Sequence, residues 1–177
     1  MARAPERGCR SSMLADEVRL RPAVPDDAED AGAMHYASFV ETYADLADAG
    51  FWRRANRERS IENWRTMLST GVEAMLAEAD GSIVGVAITA PAVPRGEVAP
   101  LRGLELTNLY VLARHQGSGI GQDLLDAVLP AGAAAQLWVV RGNPRAVRFY
   151  ERNGFTADGA EDDGSAFGGI AALRMVR

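Results

Sequence analysis

The 177-residue chain contains no lysine, and all 19 of its basic residues are arginine. Every mechanism that needs a lysine is therefore excluded. Cysteine is nearly absent as well. Cys9 alone cannot form an intramolecular disulfide, so nothing points to an oxidising compartment. It also lies outside any periodic element, which makes it a poor nucleophile. The two histidines, His35 and His115, are far apart in sequence, so no metal site is expected. No run of ~18 apolar residues exists, so no transmembrane helix is expected. The opening "MARAPERGCRSSMLADE" has no apolar core segment and does not read as a secretory signal. The expected localisation is cytoplasmic. No basic run occurs, and the net charge of -5 has the wrong sign for a nucleic-acid binder. A basic partner such as an amine suits an acidic protein better. There is no internal repeat and no interdomain linker.

What remains is an ordinary globular composition, 47% hydrophobic and 24% charged, long enough to bury one core. Residues 1–16 read as a loose, flexible extension, with Met13 a candidate natural start. Residues 17–177 read as a single domain. A strand over 17–23 leads to a helix over 27–40, opened by Asp26 with Glu29 three residues on. "ETYADLADAGF" reads as a break, and 56–68 as a second helix with Ile61, Trp64 and Leu68 on one face. Two strand-like runs meet at Asp80-Gly81, a tight-hairpin dipeptide. A loop, "PAVPRGEVAP", precedes a long strand over 102–112. Then come a helix stopped by Pro130, a buried strand, and a helix capped by Asn143, with Pro144 at its first position and Gly154 at its exit. A last strand pair, 155–159 and 168–176, flanks an acidic loop. The order β-α-α-β-β-β-α-β-α-β-β predicts an α/β (α+β) fold with a mixed sheet.

The densest local signal is "RHQGSGIG", with glycines at 117, 119 and 121 where a strand turns into a helix. Unpaired N–H groups and the helix dipole make such a junction an anion site, and glycine lets backbone approach a phosphate. A tight turn that only packs is the plainer reading. A P-loop would need Lys after its last glycine. A dinucleotide fingerprint would need glycine at position 122, which is Gln. A loop for the pyrophosphate of coenzyme A remains.

Gln116-Gly117-Ser118-Gly119-Ile120-Gly121 resembles the Arg/Gln-x-x-Gly-x-Gly/Ala motif of the GCN5-related N-acetyltransferases (GNAT). "LELTNLYV" before it resembles the family's fourth strand. Asn143, Ala146, Phe149, Tyr150, Gly154 and Phe155 fall on the family's N-x-x-A-x-x-F-Y-x-x-x-G-F segment. The resemblance is specific over about 104–156. It implies a GNAT-type, mostly antiparallel sheet whose fourth and fifth strands splay, with flanking helices and acetyl-CoA as co-substrate.

Carried over by position, the backbone of Leu109, Tyr110 and Val111 would pair with the pantetheine arm. The N–H groups from Gly117 through Ser118, Gly119, Ile120 and Gly121 to Gln122 would hold the pyrophosphate. Gln116 and Phe149 belong to the same cofactor-binding set, and Asn143 would reach the arm, cap its helix, or both. The Val111 N–H would point at the thioester oxygen. Tyr150, with an ordinary pKa of about 10, would serve as general acid. Glu105 would act as base through water, although other family members use no dedicated base. It could equally be a solvated strand residue.

The acceptor side would be bordered by Glu41, Tyr43, Asp45 and Asp48, and by Glu161, Asp162 and Asp163. These are either solvated acids or attractors of a cationic amine. His35, Trp52 and Trp64 read as packing residues near that cleft, and His115 as exposed. The expected reaction is acetyl transfer to a small-molecule primary amine such as a polyamine, with no nucleic-acid or membrane partner. The exposed last strands would pair in a homodimer. Two alternatives are a protein or peptide N-acetyltransferase and a non-catalytic acyl-CoA-binding module.

Overall fold

A computed structural model describes residues 18–47, 49–165 and 169–177. Cys9, Met13, the expected extension over 1–16 and Asp48 lie outside the described residues. The strands are β1 (Arg19–Pro22), β2 (Ala74–Ala79), β3 (Ser82–Pro91), β4 (Leu104–Val111), β5 (Gln136–Val140), β6 (Thr156–Asp162) and β7 (Ala172–Val176). The helices are α1 (Ala28–Tyr43), α2 (Ala49–Arg54), α3 (Arg57–Ser69), α4 (Ile120–Val128) and α5 (Pro144–Arg152).

The strands form one sheet in the order β1-β2-β3-β4-β5-β7-β6. Every neighbouring pair is antiparallel except β4 and β5. The β2–β3 hairpin closes at Asp80 and Gly81, both at positive φ (51° and 72°), as an Asp-Gly turn requires. In β3, a Cβ at Gly85 would fall 2.9 Å from Leu124 of α4. Gly85 therefore marks the face that α4 covers. Ala31, Met34, Trp64 and Leu68 of α1 and α3 are buried against β2 and β3. Leu125 and Leu129 pack with Leu137, Tyr150, Phe155 and Met175, tying α4 and α5 to β5 and β7.

Three local readings change. Helix α1 starts behind a short 3-10 turn, and the acid at its N-cap position is Asp27, whose side chain turns back to the preceding turn rather than capping the helix. Its Oδ2 accepts from the Val24 N–H at 2.7 Å, while both its oxygens take Arg21, each at 2.7 Å. The helix then runs on to Tyr43, and the expected break contains the six-residue α2. No local cap marks α2; Phe51 and Trp52 hold it against Phe39 at centroid distances of 5.7 and 5.8 Å. Strand β6 extends through the acidic stretch to Asp162, because arginines from elsewhere neutralise it. Arg174 hydrogen-bonds Asp158 at 2.8 Å, Arg141 pairs with Glu161, and Arg95 reaches Asp162 at 3.4 Å.

Candidate active site

The site begins with a defect in β4. Ile88 pairs with Asn108 but Thr89 pairs with Leu106, so Thr107 is an extra residue, a β-bulge. On the other side, β4 meets β5 only at Glu105–Gln136 and Leu106–Leu137. Beyond Leu106 the two parallel strands diverge and leave a cleft. The Leu112 N–H bonds the Val84 carbonyl at 3.0 Å. By the alternation of the ladder, the main-chain groups of Leu109 and Val111 point the opposite way, into the gap left by β5. Val111 O accepts from Gln116 Nε2 at 2.9 Å, which ties the glycine loop to the strand.

The cleft encloses about 100 Å³ and is lined by Tyr43, Leu109, Tyr110, Val111, Gln116, Asn143 and Tyr150 of the expected residues. Tyr110 contributes its ring, since its main chain faces β3. Trp138, Thr42 and Arg145 also line the cleft and went unnoticed in the sequence. The alternation that puts Trp138 on the face opposite Leu137 and Val139 was the available signal. Three phenols meet here. Burial pushes Tyr150 well above the ordinary tyrosine value, and the Tyr43 hydroxyl adds to the effect. Burial does the same to Tyr110 and Tyr43, whose hydroxyls pair. All three are protonated at neutral pH and can donate.

At the mouth, Gly117 and Gly119 adopt φ of 83° and 99°, and a Cβ at either would meet nothing within 4 Å. These glycines serve backbone conformation and leave open space above the loop. Gly119 is the N-cap of α4 and supplies no side-chain cap. The N–H groups of 117–121 have no partner among the described residues. The Gln122 N–H is already bonded to Gly119 O at 2.8 Å, and its side chain exchanges hydrogen bonds with Asn153 at 2.8 and 3.1 Å. Gln122 is thus a latch between α4 and α5. Phe149 lies behind the loop, 3.9 Å from where a Gly121 Cβ would sit. Asn143 Oδ1 caps α5 by accepting from the Ala146 N–H at 3.1 Å, while its Nδ2 has no partner among the described residues.

Glu105 and Glu41 stand apart from the cleft lining. Glu105 is 9% exposed, and its Oε2 accepts from Gln136 Nε2 at 2.8 Å. No described cation pairs with it. Glu41 Oε2 accepts from the Ala113 N–H at 2.8 Å and so pins α1 to the end of β4. Asp163 accepts from the Ser165 N–H at 2.8 Å. With Glu161 and Asp162 held by arginines, the acids of the last connection already have partners.

A second, larger cavity of about 470 Å³ lies between α1, α2, α3 and the β3–β4 pair. His35 stands in its wall. Its Nδ1 accepts from Trp64 Nε1 at 3.1 Å, and its Nε2 lies 3.5 Å from the Asn108 amide. Indole N–H can only donate, so the neutral ring carries its proton on Nε2. Burial lowers its pKa from 6.5 to about 4, so the ring is neutral at neutral pH. Among the described residues no group of three or more potential metal-ligating side chains exists, and no helix is long and apolar enough to cross a membrane.

A splayed parallel pair beside a bulged strand, closed by a glycine loop opening a helix, can seat a phosphorylated thioester along the sheet with a phenol at its reacting end. Comparison with known proteins identifies the family. Residues 71–157 match the family model for the acetyltransferase (GNAT) domain. An uncharacterized N-acetyltransferase of Archaeoglobus fulgidus is 31% identical over 144 residues, covering 75% of this chain and 89% of that protein. The PaiA N-acetyltransferase of Thermoplasma acidophilum, crystallised in complex with coenzyme A, superposes with a TM-score of 0.64 at 21% identity, over 91% of this chain and 98% of its own. YncA of Salmonella typhimurium, solved with acetyl-CoA, does so with a TM-score of 0.64 at 17% identity, over 91% and 93%. The chain belongs to the GNAT family and is an N-acetyltransferase.

Proposed function

We propose that this enzyme moves the acetyl group of acetyl-CoA directly onto a small primary amine, using the β4–β5 cleft. The observation that carries the reading is the convergence of unpaired β4 backbone, open loop N–H groups and a buried phenol on one cleft. The relatives that hold coenzyme A and acetyl-CoA add support. Acetyl-CoA brings the activated acetyl thioester. The N–H groups of Gly117 to Gly121 are free to take its pyrophosphate, and the Asn143 Nδ2 and the Leu109 and Val111 main chain its pantetheine arm. The Val111 N–H donates to the thioester oxygen as negative charge grows there. Tyr150, kept neutral by burial, protonates the departing thiolate sulfur.

The amine must lose a proton. Glu105 takes it through water: its Oε2 is held by Gln136, whereas Oε1 has no partner among the described residues and is not sealed from solvent. The expectation of a polyamine rested on the acidic loops, where Glu41, Glu161, Asp162 and Asp163 already have partners within the protein. The acceptor class is taken up below. The exposed edge strand β6 is the surface through which a homodimer would pair.

The test is thiol release from acetyl-CoA across a panel of amines, with wild type and Glu105→Gln. Turnover is expected for wild type. In the variant the rate near neutral pH falls on the order of 10²-fold. An unchanged pH–rate profile would remove Glu105 from the reaction. Failure of every amine would remove the transferase reading for small acceptors.

A further inference from the structure

We propose that the cavity between α1, α2 and α3 holds the acceptor, and that it selects amines carrying an anionic group at the far end of an apolar spacer. The proposal rests on the reading above that the enzyme acetylates a small amine, and it names the class.

Position comes first. At the inner end of the cavity stands Asn108, directly after the bulge and directly before Leu109, whose main chain opens to the cleft. The Tyr110 ring, which lines the cleft, packs on His35 at a centroid distance of 4.7 Å. The cavity and the cleft are therefore lined by consecutive residues of β4, Asn108 and Leu109. Its volume of about 470 Å³ lies within the range of small-molecule sites.

Chemistry comes second. Trp64, Met67, Ile88 and Phe51 supply apolar walls, and Arg54 and Arg59 stand exposed at the outer end. Neither arginine forms an ion pair with a described residue. The chain carries 24 acidic residues, yet none is among the described residues that line this cavity. On α3 the face turned inward reads Arg59, Ser60, Asn63, Trp64 and Met67, while Glu62 pairs with Arg65 away from it. His35 adds no charge at the inner end, since it is neutral. The cavity is thus uncharged where the amine must arrive unprotonated, apolar along its length and cationic at its mouth. A polycation would meet two unpaired arginines and no carboxylate. A carboxylate there gains charge-assisted hydrogen bonds.

Three amines that share a benzylamine reacting end test this: 4-(aminomethyl)benzoate, 4-methylbenzylamine and 4-(aminomethyl)benzylamine. The wild type should favour the benzoate in kcat/KM by about tenfold or more over the methyl compound, and disfavour the diamine. In Arg54→Ala/Arg59→Ala the ratio of benzoate to methyl compound should collapse to about one. In Arg54→Glu/Arg59→Glu the preference should pass to the diamine, an outcome that loss of folding cannot mimic. Calorimetric binding of 4-(aminomethyl)benzoate to the full chain without acetyl-CoA gives a readout independent of transfer. Binding that the arginine variants abolish, with no transfer to any amine, would support the pocket and sink the reading that the enzyme acetylates a small amine. Transfer that favours the diamine or the methyl compound, or a preference indifferent to both arginines, would overturn the pocket and leave that reading standing. Neither binding nor transfer of the benzoate would also overturn it.

Discussion

Tyr150 is the side chain on which catalysis should depend most. Its burial raises the phenol, so it holds a proton across the physiological range and can only give it. Replacing it with Phe removes the donor and keeps the ring contacts with Phe149 and Phe155 at 5.3 and 5.9 Å. Tyr150→Phe should therefore lower kcat on the order of 10²-fold or more, with acetyl-CoA affinity unchanged in a calorimetric titration. An equal loss of affinity would make Tyr150 a binding residue instead. His35 makes a different prediction, about stability. Its folded pKa of about 4 lies below the ordinary histidine value of 6.5, so the unfolded chain binds more protons between those values. Stability then falls with decreasing pH through this window, by up to about 1.4 kcal/mol per pH unit from this one group. Above pH 6.5 the effect vanishes. Asp27, held below its ordinary value by Arg21, contributes its own loss only at lower pH. Denaturant titrations of wild type and His35→Gln should diverge in slope against pH between 4 and 6.5; parallel curves would show that His35 titrates normally.

Among the elements, the loop that opens α4 separates two roles of glycine. Gly119 sits at φ 99° with open space around it. Ala there pays a left-handed cost of about 1–2 kcal/mol and distorts the open N–H groups. At Gly121 the backbone is not left-handed, and a Cβ would touch Phe149 and Val111 at 3.9 and 4.0 Å, which is ordinary contact. Gly119→Ala should lower Tm and acetyl-CoA affinity together, whereas Gly121→Ala should spare both; thermal melts with and without acetyl-CoA check this. Such features were legible in the sequence because they are local. The Asp80-Gly81 hairpin, the Asn143 cap and the Gly154 exit each depend on one or two residues and their own φ/ψ. Helix α2 was not, since distant aromatic rings hold it. Nor was the length of β6: its acids looked like a loop until Arg95, Arg141 and Arg174, from three other segments, were seen beside them.

The complete sheet explains why the cleft exists at all. Strand β4 satisfies its backbone on the β3 side along its length but meets β5 over only two residue pairs. A sheet interior with unpaired main chain is costly unless water or a ligand covers it. The glycine motif and the Asn143–Phe155 segment pointed to this place from sequence, and the structure puts Asn143, Tyr150, Val111 and Gln116 around one cavity. The second cavity was only partly legible: His35 and Trp64 read as packing residues near the acceptor side, but Asn108, 73 residues from His35 along the chain, gave no local signal. A ligand that binds only the folded state stabilises it by mass action, about 2.7 kcal/mol at a hundredfold excess over Kd. The most direct test of the cleft is therefore a calorimetric titration of the full chain with acetyl-CoA. One site per chain, weakened in Gly119→Ala, is the predicted result. No heat of binding, with Tm unmoved by excess acetyl-CoA, would contradict the account.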